Sequence, residues 1–235
     1  MSERFVDTDP ADRPREPGSR ASRPLDAATL ILVKRGADAP RLLMGRRNRG
    51  HAFMPGKWVF PGGRVDRGDL HAPAATELRP DVAARLSLHS RRAGVRALAL
   101  AAVRETWEEA GLLLARPAEP RPGAGAWRPF LERGALPDLA ALEFVARAIT
   151  PPYHPKRFDA RFFLADADAL LRPEREDGTG ELHEIAWFTL AEARDLDLPR
   201  ITDFVIDEVE RRLSDGGRPA PFVRFRRGAR EIETL

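Results

Sequence analysis

The sequence predicts an α/β fold, with a mixed central sheet held between helical layers. Three observations carry this. Short apolar runs with strand character lie on both sides of one long helical segment near residues 95–110. A second amphipathic helix follows late in the chain, with Ile201, Phe204, Val205, Val209 and Leu213 on one face. No internal repeat divides the 235 residues, so a single domain with modest insertions is expected.

Residues 1–23 mix Pro and charge and are expected to form a disordered tail, leaving 24–235 as the domain. Ala27–Val33 and Arg41–Arg46 read as two strands around a turn at Gly36–Pro40. Lys57–Phe60 is a third strand, running into a Pro61-Gly62-Gly63 turn. Asp81–Leu88 reads as a short helix. Val95–Ala110 is the long helix, and Gly111 is its C-terminal stop. A small helix is expected at Pro129–Arg133, and Ala140–Ile149 fits either helix or strand. Phe158–Ala165 and His183–Thr189 are strands; Ala191–Arg194 and Ile201–Leu213 are helices. Phe222–Phe225 adds an edge strand.

Composition narrows the function classes. The 43% hydrophobic content supports a sizeable core. Absence of cysteine excludes a disulfide framework and a thiolate metal site. No apolar run reaches the roughly 18–20 residues that a bilayer requires. The first 25 residues lack the apolar core of a secretory signal, and Glu231–Leu235 carries no peroxisomal tripeptide. A cytoplasmic protein without membrane attachment is therefore expected. The pI of about 9.9 comes with a net charge of only +3. The base is scattered arginine, lysine occurring only at Lys34, Lys57 and Lys156. Nucleic acid is not the expected ligand, and arginines around an anionic small molecule account for the charge as well.

The most informative stretch is Arg104-Glu105-Thr106-Trp107-Glu108-Glu109-Ala110-Gly111-Leu112. At 3.6 residues per turn, Glu105, Glu108 and Glu109 fall within about 100° of arc on one helix face. Leu100, Val103, Trp107 and Ala110 lie opposite. Like charges at this spacing cost about 0.2–0.5 kcal/mol per pair, and acids in the last turn oppose the helix dipole. A bound divalent cation would offset both. Oxygen-only ligands favour Mg²⁺ or Mn²⁺ over zinc. Alone, the segment is equally a solvated acidic face with Arg104 paired to Glu108.

Upstream, Phe60-Pro61-Gly62-Gly63 places a backbone without Cβ where it can approach a ligand closely. Gly63 is followed after five residues by Asp69. Together with Arg-Glu-x-x-Glu-Glu-x-Gly, this resembles the signature box of the Nudix hydrolases: Gly, five residues, Glu, seven residues, then Arg-Glu-apolar-x-Glu-Glu-x-Gly-apolar. The chain departs from that box at three points. Asp69 stands where Glu is usual, and its shorter reach discounts its role. Thr106 occupies an apolar position. Thirty-four residues, 70–103, replace seven, an insertion of 27 centred on about 70–94. The insertion is compatible with the chemistry if it loops out and lets the two halves meet. The segments Phe53–Gly63, Val103–Leu114, Ile149–Pro151 and Arg157–Leu164 occur in the order seen in a subgroup with an interrupted box. That subgroup includes a vertebrate peroxisomal acyl-coenzyme A diphosphatase.

The resemblance implies a Nudix α/β/α sandwich and a metal-dependent pyrophosphohydrolase acting on a small nucleotide. It implies Mg²⁺ or Mn²⁺ at Glu105, Glu108, Glu109 and the main-chain carbonyl of Gly63. Arg104 would orient the carboxylates, and Glu105 or Glu108 would serve in catalysis, with Glu105 the chosen base. Arg46, Arg47 and Arg49, beside the glycine turn, are candidate phosphate ligands or an exposed cluster. Glu181 and Glu184 are candidates for an extra loop carboxylate, or ordinary surface acids. Arg157 and Asp159 could place a charge pair at the mouth or pin a strand end. The histidines His51, His71, His89, His154 and His183 show no ligand spacing and receive no role.

Coenzyme A or acyl-coenzyme A leads the substrate classes, cleaved to 3′,5′-ADP and (acyl-)4′-phosphopantetheine. ADP-ribose, NADH and other dinucleotides are alternatives. A non-catalytic nucleotide sensor and an RNA 5′-end pyrophosphohydrolase are further readings; homodimerisation is left open.

Overall fold

The computed structural model describes residues 22–36, 38–48, 50, 54–88, 94–175, 181–216, 218–226 and 229–235. The expected tail over 1–21, and Arg49, His51, Phe53 and His89, lie outside the described residues. Ser22 and Arg23, the last residues of that expected tail, are described, and the Ser22 hydroxyl donates to the Pro155 carbonyl at 3.1 Å.

In chain order the elements are β1 (Leu25–Lys34), β2 (Arg41–Arg47), β3 (Trp58–Val59), β4 (Gly62–Arg64), α1 (Pro80–Ser87) and α2 (Val95–Ala110). There follow β5 (Ala115–Pro117), α3 (Arg128–Glu132), β6 (Ala135–Pro137), β7 (Glu143–Ile149), β8 (Phe158–Asp166) and β9 (Leu182–Thr189). The chain ends with α4 (Leu190–Arg194), α5 (Arg200–Asp215), β10 (Pro221–Arg226) and β11 (Ala229–Thr234). Nine strands form a mixed sheet in the order β11-β10-β7-β8-β1-β2-β3, with β4 paired to β1 and β9 to β2. The strands β5 and β6 make a separate antiparallel pair.

The strand β1 runs parallel to β8 and is buried on both faces, which is why Leu30-Ile31-Leu32-Val33 reads as an unbroken apolar run. Its side chains alternate between two cores. Ala28, Leu30 and Leu32 pack with Leu98, Ala99 and Val103 of α2; Ile31 and Val33 pack with Val205 and Val209 of α5. A helix layer therefore covers each face. Truncating any of Leu30, Ile31 or Leu32 to Ala would cost about 2–5 kcal/mol.

Several expectations are refined. The segment 140–149 resolves into a short 3₁₀ turn, Leu139–Ala141, followed by β7. The third strand shrinks to Trp58–Val59, and Gly62–Arg64 is a strand rather than a bare turn, with Gly63 opposite Ala28. The strand at Phe222–Phe225 is interior: β10 pairs with β7 on one side and with the unforeseen β11 on the other. The helix α2 is not half solvated, for most of its residues, including Arg104 and Glu109, are buried. Its acidic face looks into the protein.

Candidate active site

The helix α2 ends where the sequence placed its stop. Gly111 adopts the left-handed conformation at φ 67°, and its N–H donates to the Trp107 carbonyl at 2.9 Å. The last two turns thereby bring Arg104, Glu105, Glu108 and Glu109 against β4, which the β1 ladder holds in place.

The two halves of the split motif meet at Arg104 and Asp69. Arg104 Nε donates to Asp69 Oδ1 at 2.8 Å, and Nη2 donates to Asp69 Oδ2 at 3.0 Å, a bidentate fork. The other Nη2 hydrogen reaches the Arg64 carbonyl at 2.9 Å. Nη1 donates to Glu105 Oε1 at 2.8 Å and to Glu108 Oε2 at 2.7 Å. All five guanidinium N–H groups are thus used. Asp69, discounted for its short reach, instead holds the arginine in place. It is 0% exposed and also accepts from the Asp66 N–H at 2.8 Å and from Trp127 Nε1 at 3.0 Å. Its short reach is matched by a short 3₁₀ turn, Arg67–Leu70, that carries it under the arginine. Burial disfavours the Arg104 charge, but the Asp69 hydrogen bonds and the charges of Glu105, Asp69 and Glu108 outweigh it and raise its pKa.

The insertion loops out between these halves. It is fastened by Arg79 Nη1 donating to the Ala140 carbonyl at 2.8 Å and by Arg96 pairing with Glu77 at 2.9 Å. The apolar side of α1, Val82 and Leu86, joins the core under α2.

Glu105 packs on the glycine strand. A Cβ on Gly63 would fall 2.5 Å from the Glu105 carboxylate carbon, so any other residue there would push that carboxylate from its place. Glu109 is 2% exposed, and its Oε2 accepts from the Gly62 N–H at 2.8 Å. Its Oε1 is buried without a hydrogen-bond partner among the described residues. Burial pushes the Glu105 carboxyl up to about 7 against the pull of Arg104. Burial pushes Glu109 up to about 8, opposed by Arg47 and the Gly62 N–H. Glu108 is raised as well, again through burial first.

These side chains fit a hard dication in chemistry: all donors are oxygen, two carboxylates are desolvated, and one buried oxygen lacks a partner. Among the described residues, however, no three acids converge into a ready-made metal cage. Arg104 Nη1 takes one oxygen each from Glu105 and Glu108.

The acids open into a cavity of about 1220 Å³, large beside the roughly 300–1,000 Å³ of ordinary ligand pockets. Arg47 and Glu181 line it, and Glu181 adds to the negative field on Glu105 and Glu109. Arg46 and Glu184 are not in its lining. They pair with each other at 3.3 Å, and Arg46 Nε donates to the Gly56 carbonyl at 3.1 Å. Arg46 and Arg47 are neighbours in β2, and neighbouring strand residues point to opposite faces of the sheet. Asp159 pairs with Arg147 at 2.7 Å and Arg161 at 3.1 Å, not with Arg157. Arg157 instead donates to the carbonyls of Thr150 and Ser22. Trp127 was missed altogether, and only its position in a Pro/Gly loop near an apolar Phe130-Leu131 hinted that it was buried.

No protein-family model matches the chain. A crystal structure of a Nudix hydrolase from Alicyclobacillus acidocaldarius is 30% identical, with a TM-score of 0.57; the match covers 79% of this chain and 90% of that one. The human acyl-coenzyme A diphosphatase NUDT19 is 31% identical over 195 residues, 61% of this chain and 52% of its own length. The chicken protein of the same name is 27% identical over 232 residues, 71% of this chain and 61% of its own. The chain therefore spans between 52% and 61% of the length of these two relatives.

Proposed function

Because the chain belongs to the Nudix hydrolase family, we propose that it hydrolyses the pyrophosphate of a nucleoside diphosphate linked to a second moiety. Coenzyme A or an acyl-coenzyme A is the leading substrate, cleaved to 3′,5′-ADP and (acyl-)4′-phosphopantetheine. The observation that carries this reading is Arg104 gathering Asp69, Glu105 and Glu108 beside the Gly62–Gly63 strand at the head of a large cavity. The relatives named acyl-coenzyme A diphosphatase support the choice of substrate.

In this reading water adds to one phosphorus, the P–O–P bridge breaks, and the departing phosphate keeps the bridging oxygen. Glu105, Glu108, Glu109 and the Gly63 carbonyl would hold Mg²⁺ or Mn²⁺, which would offset charge on the non-bridging oxygens and acidify water. Glu105 accepts the proton of the attacking water at a carboxylate oxygen. Arg104 fixes the rotamers of Glu105 and Glu108 and stays charged throughout. Arg47, at the cavity wall beside Glu109, binds a phosphate oxygen and orients it. Val59 and Phe60 contribute apolar wall to the same cavity.

Incubation in ¹⁸O-water with coenzyme A, ADP-ribose, NADH or an oxidised nucleotide, with and without Mg²⁺, tests the reading. Mg²⁺-dependent ¹⁸O incorporation into 3′,5′-ADP or phosphopantetheine is expected from coenzyme A. No product from any substrate would refute a pyrophosphatase.

A further inference from the structure

Among the described residues, two that are not glycine adopt a positive φ: Met54 at 52° and Glu184 at 48°. A side chain in that region strains the backbone, and such strain persists only where the surroundings impose it. Met54 and Glu184 are far apart in the chain, yet one side chain reaches both of their turns. Arg46 Nε donates to the Gly56 carbonyl at 3.1 Å, inside the turn 54–57 that the Lys57 N–H closes onto the Met54 carbonyl at 3.4 Å. Arg46 Nη1 donates to Glu184 Oε1 at 3.3 Å and to Oε2 at 3.4 Å.

The sheet explains why strain falls at these places. From Met44 to Arg46, β2 advances two residues, while the facing stretch of β9, between His183 and Ala186, takes three. Glu184 and Ile185 therefore share the place opposite Gly45. This is a β-bulge, and a bulge residue in the left-handed region is ordinarily glycine. Here the glycine stands on the other strand, where a Cβ on Gly45 would fall 2.9 Å from the Leu182 Cβ. The bulge bends β9 just beyond Glu181, which lines the cavity. The turn 54–57 is laced to the end of β2 as well. The Gly56 N–H donates to the Arg47 carbonyl at 3.2 Å, and the Arg47 N–H donates to the Lys57 carbonyl at 2.9 Å. Met54 and Arg47 line the same cavity.

Neither Arg46 nor Glu184 belongs to that lining. The Glu184 side chain is 59% exposed, and an exposed ion pair is by itself worth little. This pair matters through its place, because it joins two strained turns that each hold a residue of the cavity wall. The acids of α2 are held independently, by Arg104, Asp69 and the Gly62 N–H.

We infer that Arg46 is a positioning residue: by clasping the turns of Met54 and Glu184 it fixes the cavity rim formed by Met54, Arg47 and Glu181, without touching the substrate. Its consequence for catalysis rests on the pyrophosphatase reading; the clasp itself does not. Without the clasp both turns relax toward ordinary backbone and the rim moves, while the helix acids stay in place. Substrate is then held less well, which appears as a higher KM at nearly constant kcat.

Arg46→Met keeps the stem and removes the donors. In hydrogen exchange of the full chain, peptides spanning 54–58 and 181–186 should both exchange about tenfold faster, and peptides of α2 should not. KM for the ¹⁸O-panel substrate turned over fastest, coenzyme A in this reading, should rise about tenfold with kcat within about threefold. Glycine adopts the left-handed region without strain. Glu184→Gly alone should therefore raise the thermal midpoint by about 2–4 °C. Added to Arg46→Met, it should slow exchange over 181–186 and recover about half of the KM change on a logarithmic scale. Arg46→Lys, which keeps the charge but not the fork, serves if the methionine variant melts early, and should shift exchange and KM less in the same direction. Exchange that rises in neither segment, a KM that stays put while exchange rises, a loss confined to kcat, or no recovery from glycine at 184 would each overturn the positioning role. If the unaltered chain hydrolyses nothing in the panel, the pyrophosphatase reading falls, and calorimetric affinity for coenzyme A takes the place of KM. Affinity weakened by Arg46→Met and restored by Glu184→Gly then keeps the clasp alone; no binding of coenzyme A defeats both.

Discussion

Trp127 donates its indole N–H to Asp69 Oδ1 at 3.0 Å, across 58 residues of sequence. The indole sits in the 3₁₀ turn Gly125–Trp127, packed edge-on against Phe130 at 5.3 Å and against Gly68. It completes the donors around a carboxylate that already accepts from Arg104 and Asp66. A loop far from the box thus braces the arginine that positions two acids.

Trp127→Phe keeps an aromatic ring, removes the donor and leaves part of the buried indole volume empty. Asp69 retains its other partners, so a stability loss of about 1–3 kcal/mol, the lost hydrogen bond plus the void, is expected by urea denaturation. In the proposed reaction kcat should fall several-fold with little change in KM, because the acids are misplaced while the cavity is not. Unchanged kcat would remove Trp127 from the positioning chain.

Asp69→Glu installs the residue that the family resemblance leads one to expect, yet here it should destabilise. The site is 0% exposed and fully occupied by donors at 2.8–3.0 Å. An added methylene in such a place costs about 1–3 kcal/mol. A thermal midpoint at or above that of the unaltered chain would contradict the fit described.

Gly63→Ala drives a methyl group into the Glu105 carboxylate. A displacement of this kind, on the order of 1 Å, costs about 10²-fold in rate. Steady-state kinetics with circular dichroism as a folding control would show it; full activity would mean that Glu105 has room to move.

The metal-free chain should lose stability as pH rises. Glu109 holds its proton up to about 8 in the fold, against about 4.3 in an unfolded chain. This contribution is complete below the unfolded value and disappears as pH climbs through about 8. Melting in EDTA between about pH 5 and pH 8.5 should fall more steeply for the unaltered chain than for Glu109→Gln. Parallel slopes would count against a buried, partnerless carboxyl.

What could be read from residues alone follows local periodicity. The helix α2 and its glycine stop were legible because three acids and Gly111 share a turn, and β1 because both of its faces are apolar. The strand β4 was not, since Gly62 and Gly63 carry no side chain to alternate. The strand β11 was hidden by its Arg230-Glu231-Ile232-Glu233 sequence, which reads as surface. The relation of Asp69 to Arg104 and Trp127 spans 35 and 58 residues, beyond any local pattern. Glu181, just before β9, lines the cavity and Glu184, within β9, does not. Spacing alone does not reveal that.

The central claim is that the acids of α2 and the glycine strand form one cation site. Anomalous scattering from a crystal soaked in Mn²⁺ measures it directly. The account predicts a peak about 2.0–2.2 Å from carboxylate oxygens of the Glu105, Glu108 and Glu109 group, beside the Gly63 carbonyl. Mn²⁺ bound elsewhere, with Arg104 still clasping Glu105 and Glu108 and Glu109 Oε1 still alone, would contradict it.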